Sequence, residues 1–237
     1  MRKVLSHIRR AAEEYDMIKN GDKIAVGVSG GKDSLVLLAG LNTLRKFYPL
    51  RYEIVAITID MGFPDMNFEE VMRYCKENDI KFILKKTEIG KVVFDIREES
   101  NPCSLCARMR RGVLHDAAKE NGCNKVALGH NFDDAVETFF LNMFFEGRLG
   151  CFSPVTYLDR KDITIIRPLI YMTENETRTT AERLKLPVVL STCPANGNTK
   201  REYMKNLIKQ LEKENKGLQE RIFAAIGRAG IDGWKSS

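Results

Sequence analysis

The stretch Ile24-Ala25-Val26-Gly27-Val28-Ser29-Gly30-Gly31-Lys32-Asp33-Ser34 decides how this chain folds. Its first five residues are a short, continuous apolar run, the mark of a strand buried on both faces of a parallel sheet. Gly30 and Gly31 then permit a tight turn and let backbone amides approach an anion closely. Residues 35–47 read as a helix, whose positive N-terminal end points back at the turn. Lys32 adds a full positive charge, and Ser29 and Ser34 add hydroxyl donors. The segment is built as a phosphate cradle. It is not a Walker A loop, which needs four residues between its glycines and a Lys-Ser/Thr after the second. It is not a dinucleotide fingerprint either, because Gly-x-Gly-x-x-Gly is missing.

Outward from this turn, strand-like and helix-like segments alternate. Val4, Leu5, Ile8, Ala11, Ala12, Tyr15 and Ile18 have helical spacing over residues 2–19. Further strands are expected at 53–59, 81–89, 125–130 and 163–166, with a short sixth at 188–190. Helices are expected at 67–78, 104–121, 133–146 and 173–184, and the tail from Thr199 reads as mostly helical. This order predicts an α/β fold, a Rossmann-like parallel sheet with helices on both faces. The expected organisation is an N-terminal helix (1–20), a nucleotide-binding domain (21–198) and a helical C-terminal tail (199–237). Ligands in such sheets bind beyond the carboxyl ends of the strands. Residues 29–34, 60–64 and 130–134 all fall there.

A chain of 237 residues suits one α/β domain with an appendage, and 43% hydrophobic with 30% charged residues describes an ordinary soluble protein. No run of about 18 apolar residues predicts a membrane span. No apolar stretch follows Met1-Arg2-Lys3, so no signal peptide is expected and cytoplasm is the default compartment. A net charge of +6 is a weak argument for nucleic acid by itself. Its distribution says more. Cations cluster at Arg108, Arg110 and Arg111, at Lys200, Arg201, Lys205, Lys209, Lys213 and Lys216, and at Arg2, Lys3, Arg9 and Arg10. By default each is a solvated helix face, and Glu202, Glu212 and Glu214 dilute the second.

Gly129-His130-Asn131-Phe132-Asp133-Asp134 follows the fourth strand and opens a helix. Paired carboxylates there favour the helix dipole, and Asp133 is expected to cap it. The functional alternative has Asp133 or Asp134 facing the phosphate loop through Mg²⁺, with His130 and Asn131 orienting a nucleotide or an acceptor. Six cysteines are present. Cys103-Ser104-Leu105-Cys106 opens a helix, which favours thiolates. One such pair is ambiguous among redox, zinc and iron–sulfur roles. Zinc usually wants a second pair, and none is present. Three cysteines suit an iron–sulfur cluster with one open iron. Cys75 and Cys123 read as packed small hydrophobes. Cys151 remains open as a third ligand, and Cys193, beyond the last expected strand, is favoured.

Ser29-Gly30-Gly31-Lys32-Asp33-Ser34 resembles the PP-loop of enzymes that split ATP into AMP and pyrophosphate. Several further segments extend the resemblance over roughly residues 20–210. They are Cys103–Cys106 leading into Arg108-Met109-Arg110-Arg111-Gly112, Ala127-Leu128-Gly129-His130 with Asp133-Asp134, Leu141-Asn142-Met143-Phe144 and Ile166-Arg167-Pro168-Leu169. Together they resemble the TtcA-like tRNA 2-thiocytidine synthetases of the PP-loop ATP-pyrophosphatase class. The resemblance implies ATP-dependent replacement of the C2 oxygen of cytidine 32 in tRNA by sulfur. It also implies Mg²⁺, a 4Fe–4S cluster and a homodimer. Carried over, it assigns Cys103, Cys106 and Cys193 to the cluster; Asp33, Asp133 and Asp134, carboxylates beside the loop, are the expected Mg²⁺ ligands. ATP falls to residues 29–34 with Ile59 and His130, and catalysis to Lys32, Asp33 and Asp134. The adenine is expected near Ile59, with backbone contacts from 58–60. The sulfur donor would be a cysteine desulfurase or sulfide. The C-terminal cysteine segment departs from the usual family sequence. Competing readings are lysidine formation or amidation, a nucleotide-binding sensor without turnover, and a redox or zinc role for the cysteine pair.

Overall fold

The computed structural model describes residues 1–64, 66–97, 102–190, 192–193 and 199–236. Asn101, Ser191 and Pro194, which flank the cysteines considered above, lie outside the described residues. Among these residues six strands form one sheet, ordered β3-β2-β1-β4-β6-β5. β1 (Asp22–Gly27), β2 (Tyr52–Asp60), β3 (Lys81–Lys86), β4 (Lys125–Ala127) and β6 (Ile163–Ile166) run parallel. β5 (Val155–Leu158) pairs antiparallel with β6 at the edge.

The sixth strand expected at 188–190 does not form. Pro187 removes a backbone donor, and the N–H of Val189 donates instead to the Gly30 carbonyl at 3.0 Å. The segment is a strap across the phosphate loop. The real extra strand, β5, was hidden because Val155-Thr156-Tyr157-Leu158 is short and mostly half-exposed, as an edge strand is.

Helices cover both faces. α1 (Arg2–Glu14), α2 (Lys32–Leu44), α3 (Glu69–Glu77), α6 (Phe132–Glu146), α7 (Glu174–Arg183), α8 (Lys200–Glu214) and α9 (Leu218–Arg228) contribute to the larger core. It holds Ile8, Leu38, Ile24, Val26, Ala56, Ile166, Met204 and Phe223. The opposite face carries Ala25, Val55, Ile57, Val126 and Ile165 under Leu114 and Ala118 of α5 (Pro102–Glu120). Successive residues of β1 thus point into different cores, as a period of two requires. β3 ends at Lys86, short of the expected residue 89, because Ile89 opens a short helix, α4 (Ile89–Lys91), that continues into a π-turn at Val92–Ile96. α1 stops at Glu14, before the expected residue 19, because Asp16 turns to φ +49°. The N-terminal helix and the tail share one core with the sheet: Val4 and Ile8 pack in it with Met204, Ile208 and Trp234.

The topology positions the site. The chain leaves β1 toward β2 and returns to β4 on the other side, so strand order reverses between β1 and β4. The phosphate loop follows β1 and the His130 segment follows β4, which places both at the carboxyl-end crevice of that reversal.

Candidate active site

The loop is pre-shaped by its own serines. The Ser29 N–H donates to Ser34 Oγ at 3.2 Å, Gly31 N–H donates to Ser29 Oγ at 3.3 Å, and Ser34 Oγ donates to the Gly31 carbonyl at 2.8 Å. Gly30 has φ +86°, a conformation that favours glycine. A Cβ there would stand 2.9 Å from Val189 Cβ and 3.3 Å from Phe68. Gly31 is the N-cap of α2 and offers no side-chain acceptor. The first amides of α2 are therefore not capped by a side chain, as an anion site at a helix N-terminus requires. A Cβ on Gly129 would meet Asp33 and Ser34 backbone at 3.0 and 3.1 Å, so only glycine lets the β4–α6 turn come this close to the loop.

Asn131, rather than Asp133, caps α6: its side chain accepts from Asp134 N–H at 3.1 Å, and Asp134 returns the bond by accepting from Asn131 N–H at 3.0 Å. Asn131 Nδ2 also donates to Asp33 Oδ1 at 3.3 Å. Asp133 turns to the start of α7 and accepts from Glu174 N–H at 2.6 Å. Thr177 of α7 donates its hydroxyl to Asp33 Oδ1. Lys32 Nζ lies 3.0 Å from Asp33 Oδ2 and 3.2 Å from Glu174 Oε1. Three helix starts, those of α2, α6 and α7, thus converge on one patch.

α8 closes this patch. Arg201 reaches Asp134 Oδ1 at 3.2 Å and Glu137 Oε2 at 3.3 Å, and Lys205 reaches Glu174 Oε1 at 2.7 Å. Both were read above, by default, as part of a solvated helix face. The structure turns them inward because they lie four residues apart on one side of the helix and meet an excess of carboxylates. Arg9 and Arg10 of α1 pair with Glu13 and Glu14 at 2.7 and 3.7 Å, and Lys3 with Glu176 at 2.6 Å.

The crowding of acids shows in their protonation. Burial pushes Asp133, Asp134 and Glu137 above the usual carboxylate range. For Asp134 the charges of Asp33 and Asp133 add to it, against the Asn131 N–H and Arg201. Glu137, 6% exposed, reaches about 7. For Lys32, burial disfavours the ammonium, but Asp33 and Glu174 outweigh it and raise its pKa. His130 is lowered to about 3 by burial, with Arg167, Arg201 and Arg111 contributing, so its imidazole is neutral. Its ring lies 4.9 Å from that of Phe152, and its Nδ1 is buried without a hydrogen bond.

Ile59 is half-buried at the end of β2, packed between the α5 core and a small cluster of Met61, Ile89, Val93, Leu105 and Cys106. Its neighbours are partly engaged: Thr58 donates its hydroxyl to the Val28 carbonyl at 2.8 Å, and the Asp60 carbonyl accepts from Thr87 N–H at 2.9 Å.

The same small cluster floors the cysteine pair. Cys103 is exposed at the start of α5, Cys106 is buried against Met61 with sulfur atoms 3.5 Å apart, and Cys193 is half-buried. Burial raises the Cys106 thiol; Arg110 opposes this, and Cys193 and Cys103 add to it. Cys151 does not belong to this group: it is 8% exposed under α6, donates to the Ala135 carbonyl at 3.4 Å, and burial pushes its thiol to about 12. Soft thiol donors over an apolar floor fit an iron–sulfur cluster. Among the described residues no group of three or more His, Cys, Asp or Glu side chains has closed into a metal-binding set. Mg²⁺ needs fewer, commonly one or two carboxylates completed by substrate phosphates and water. Asp33 and Asp134, whose charges interact beside the loop, fit that need.

A phosphate loop at the strand-order reversal, faced by carboxylates, defines an ATP-binding protein of the PP-loop class. The chain belongs to the PP-loop domain family, which it matches over residues 3–214. It is 41% identical over 229 residues to a protein of Geobacter sulfurreducens named tRNA-cytidine(32) 2-sulfurtransferase, covering 95% of this chain and 89% of the relative. A protein of the same name from Geotalea daltonii is also 41% identical, over 95% and 90% of the two chains. Among solved structures, the U34-tRNA thiolase NcsA of Methanococcus maripaludis with its 4Fe–4S cluster superposes with a TM-score of 0.80 at 28% identity, over 96% of this chain and 78% of that one. The NH3-dependent NAD synthetase of Campylobacter jejuni shares the fold, with a TM-score of 0.53 at 17% identity over 96% and 91% of the chains.

Proposed function

We propose that this chain is an ATP-dependent tRNA sulfurtransferase acting at C2 of cytidine 32. The observation that carries the reading is a phosphate loop at the reversal of strand order, on the same sheet as a cysteine pair that opens α5, with Cys106 buried against Met61 just beyond β2. The two proteins named tRNA-cytidine(32) 2-sulfurtransferase above support it. No helix among the described residues is long and apolar enough to cross a membrane.

In this mechanism residues 29–34 and the α2 amides hold the phosphates of ATP, with Ile59 flooring the adenine and His130 bordering the site. Asp33 and Asp134 would hold Mg²⁺, which would supply positive charge beside the phosphates, while Asp133 fixes the start of α7. The C2 carbonyl oxygen of the base attacks the α-phosphorus; the bond from that phosphorus to the bridging oxygen breaks, and pyrophosphate leaves with the electron pair. Lys32 stabilises the charge that accumulates on the phosphates. The neutral imidazole of His130 can border an electron-deficient base without repelling it. A sulfide nucleophile then attacks C2, the C2–O bond breaks and AMP leaves. Cys103, Cys106 and Cys193 would hold the 4Fe–4S cluster, which supplies an open iron for binding sulfide. The sulfur comes from a cysteine desulfurase or free sulfide, and the working form is a homodimer. Phosphate contacts would make tRNA affinity fall with salt.

The test is anaerobic purification with iron and sulfide analysis of wild type and Cys193→Ala, followed by nucleoside analysis of tRNA treated with ATP and sulfide. Iron lost in the variant, and 2-thiocytidine formed only by wild type, are expected. A colourless, iron-free protein after reconstitution removes the cluster from the reading. The likeness to the U34-tRNA thiolase favours one second reading, thiolation of uridine 34. The appearance of 2-thiouridine in place of 2-thiocytidine would select it.

A further inference from the structure

Lys205 stands on α8, far along the chain from the phosphate loop, yet its Nζ is 2.7 Å from Glu174 Oε1. That same oxygen is 3.2 Å from Lys32 Nζ. One carboxylate oxygen therefore sits between two ammonium groups, and one of these belongs to the loop. Burial works against the charge of Lys205, but Glu174 outweighs it and raises the pKa. Glu174 is correspondingly held below its usual range: burial opposes this, and Lys205 and Lys32 prevail. One turn earlier, Arg201 binds Asp134 and Glu137, so α8 is fixed over the site at a second point.

We propose that Lys205 is a polyphosphate-binding residue of the nucleotide site, and that Glu174 holds the anion position until ATP displaces it. The proposal rests on the reading of residues 29–34 as an ATP loop. A phosphate oxygen and a carboxylate oxygen make the same charge-assisted bonds to an ammonium. The α2 amides, which have no side-chain cap, direct an anion to the start of the helix that carries Lys32. Glu174 can yield without rearranging the fold. Its backbone N–H is anchored on Asp133 at 2.6 Å, and its half-buried side chain has solvent on one side. The exchange makes and breaks no covalent bond: Lys32 and Lys205 trade one acceptor for another. AMP lacks the β- and γ-phosphates, so Lys205 acts on ATP and pyrophosphate and leaves AMP alone.

The experiment is calorimetric titration of the full-length protein with ATP and with AMP, for wild type, Lys205→Ala, Lys205→Arg, Glu174→Gln and Lys32→Ala. Lys205→Ala is expected to weaken ATP about tenfold or more, the scale of one charge-assisted contact, with AMP affinity unchanged. Lys205→Arg restores most of the loss, and Glu174→Gln tightens ATP because the competing carboxylate is gone. ATP affinity unchanged in Lys205→Ala, with Lys32→Ala weakened, overturns this proposal and leaves the ATP loop standing. Weakening of ATP and AMP alike overturns it in favour of a structural role. Weaker ATP binding by Glu174→Gln overturns the placeholder role of Glu174. Wild type that binds no ATP overturns both this proposal and the reading beneath it.

Discussion

Val189 donates its backbone N–H to the carbonyl of Gly30 at 3.0 Å, and its side chain covers the glycine where a Cβ would be. This contact joins the segment leading to Cys193 to the turn that cradles phosphate. Gly30→Ala tests it. The alanine would carry a methyl at φ +86°, 2.9 Å from Val189 Cβ. Overpacking and backbone strain together are expected to cost about 1–3 kcal/mol. Chemical denaturation should show that loss. ATP titration should show a larger effect than the stability change predicts, because strap and loop shift together. A variant with wild-type ATP affinity would show that the strap does not shape the loop.

Glu137 gives the site a pH dependence with a definite sign. Its pKa rises from 4.5 to about 7 on folding, through burial and the charge of Asp134, against Arg201 and Lys205. A carboxyl raised in the folded state contributes stability that is complete below its unfolded pKa and is lost as pH rises through the folded one. Wild type should therefore lose on the order of 3 kcal/mol from this group between pH 4.5 and about 7. Glu137→Gln keeps an acceptor for Arg201 but cannot ionise, so its stability should fall less over the same range. Denaturation midpoints of both proteins at several pH values would check this. Parallel curves would mean that Glu137 ionises normally.

What the sequence disclosed and what it concealed have separate physical causes. β1, β2 and the phosphate turn were legible because a buried parallel strand must be continuously apolar and the turn needs glycine. That Cys103 and Cys106 open a helix was legible from the Asn101-Pro102 before them. Glu174, Thr177, Glu137, Arg201 and Lys205 were missed as site residues, because on a helix pattern they look like an ordinary solvated face. One signal was available. Thr173 and Glu176 form a capping box directly beyond the last parallel strand, which puts the start of α7 at the ligand edge. Val188-Val189-Leu190 misled because a short apolar run does not distinguish a strand from a strap. The correct clue was Pro187 before it and a glycine turn at Gly30, 157 residues earlier than Pro187 in sequence, that needed a cover.

His130 should not titrate near neutrality. Burial and the guanidinium groups of Arg167, Arg201 and Arg111 lower its pKa to about 3. A histidine imidazole resonance that holds its position from pH 8 down to about 5 is the expected outcome, where an ordinary histidine would move. The stability sign is opposite to that of Glu137. A lowered histidine contributes stability that is present above its unfolded pKa and lost as pH falls toward the folded value. Near pH 6 the two groups thus oppose each other. Replacing His130 by Gln should remove the acid-side loss while Glu137 remains to steepen the alkaline side. A His130 resonance with a midpoint near 6.5 would refute the neutral imidazole.

The opposite end of the sheet is built for stability. Asp22 opens β1 and Lys125 opens β4, and their charged atoms meet at 2.7 Å with side chains 5% and 7% exposed. Each has further partners: Asp22 accepts from Lys19 N–H at 2.6 Å and Asn124 Nδ2 at 2.8 Å, and Lys125 donates to the Met17 carbonyl at 2.8 Å. Removing one member strands the other charge away from water, so Lys125→Ala should cost about 3–5 kcal/mol. Adding Asp22→Asn to it should recover part of the loss, because a neutral amide still accepts from Lys19 and no longer needs a counter-charge. Urea unfolding of the two single variants and the double variant measures the coupling. The pair sits at the amino ends of the strands and the ATP loop at the carboxyl ends. The folded fraction of Lys125→Ala should therefore bind ATP as wild type does, and an equal loss of affinity and stability would mean that the two ends of the sheet are coupled.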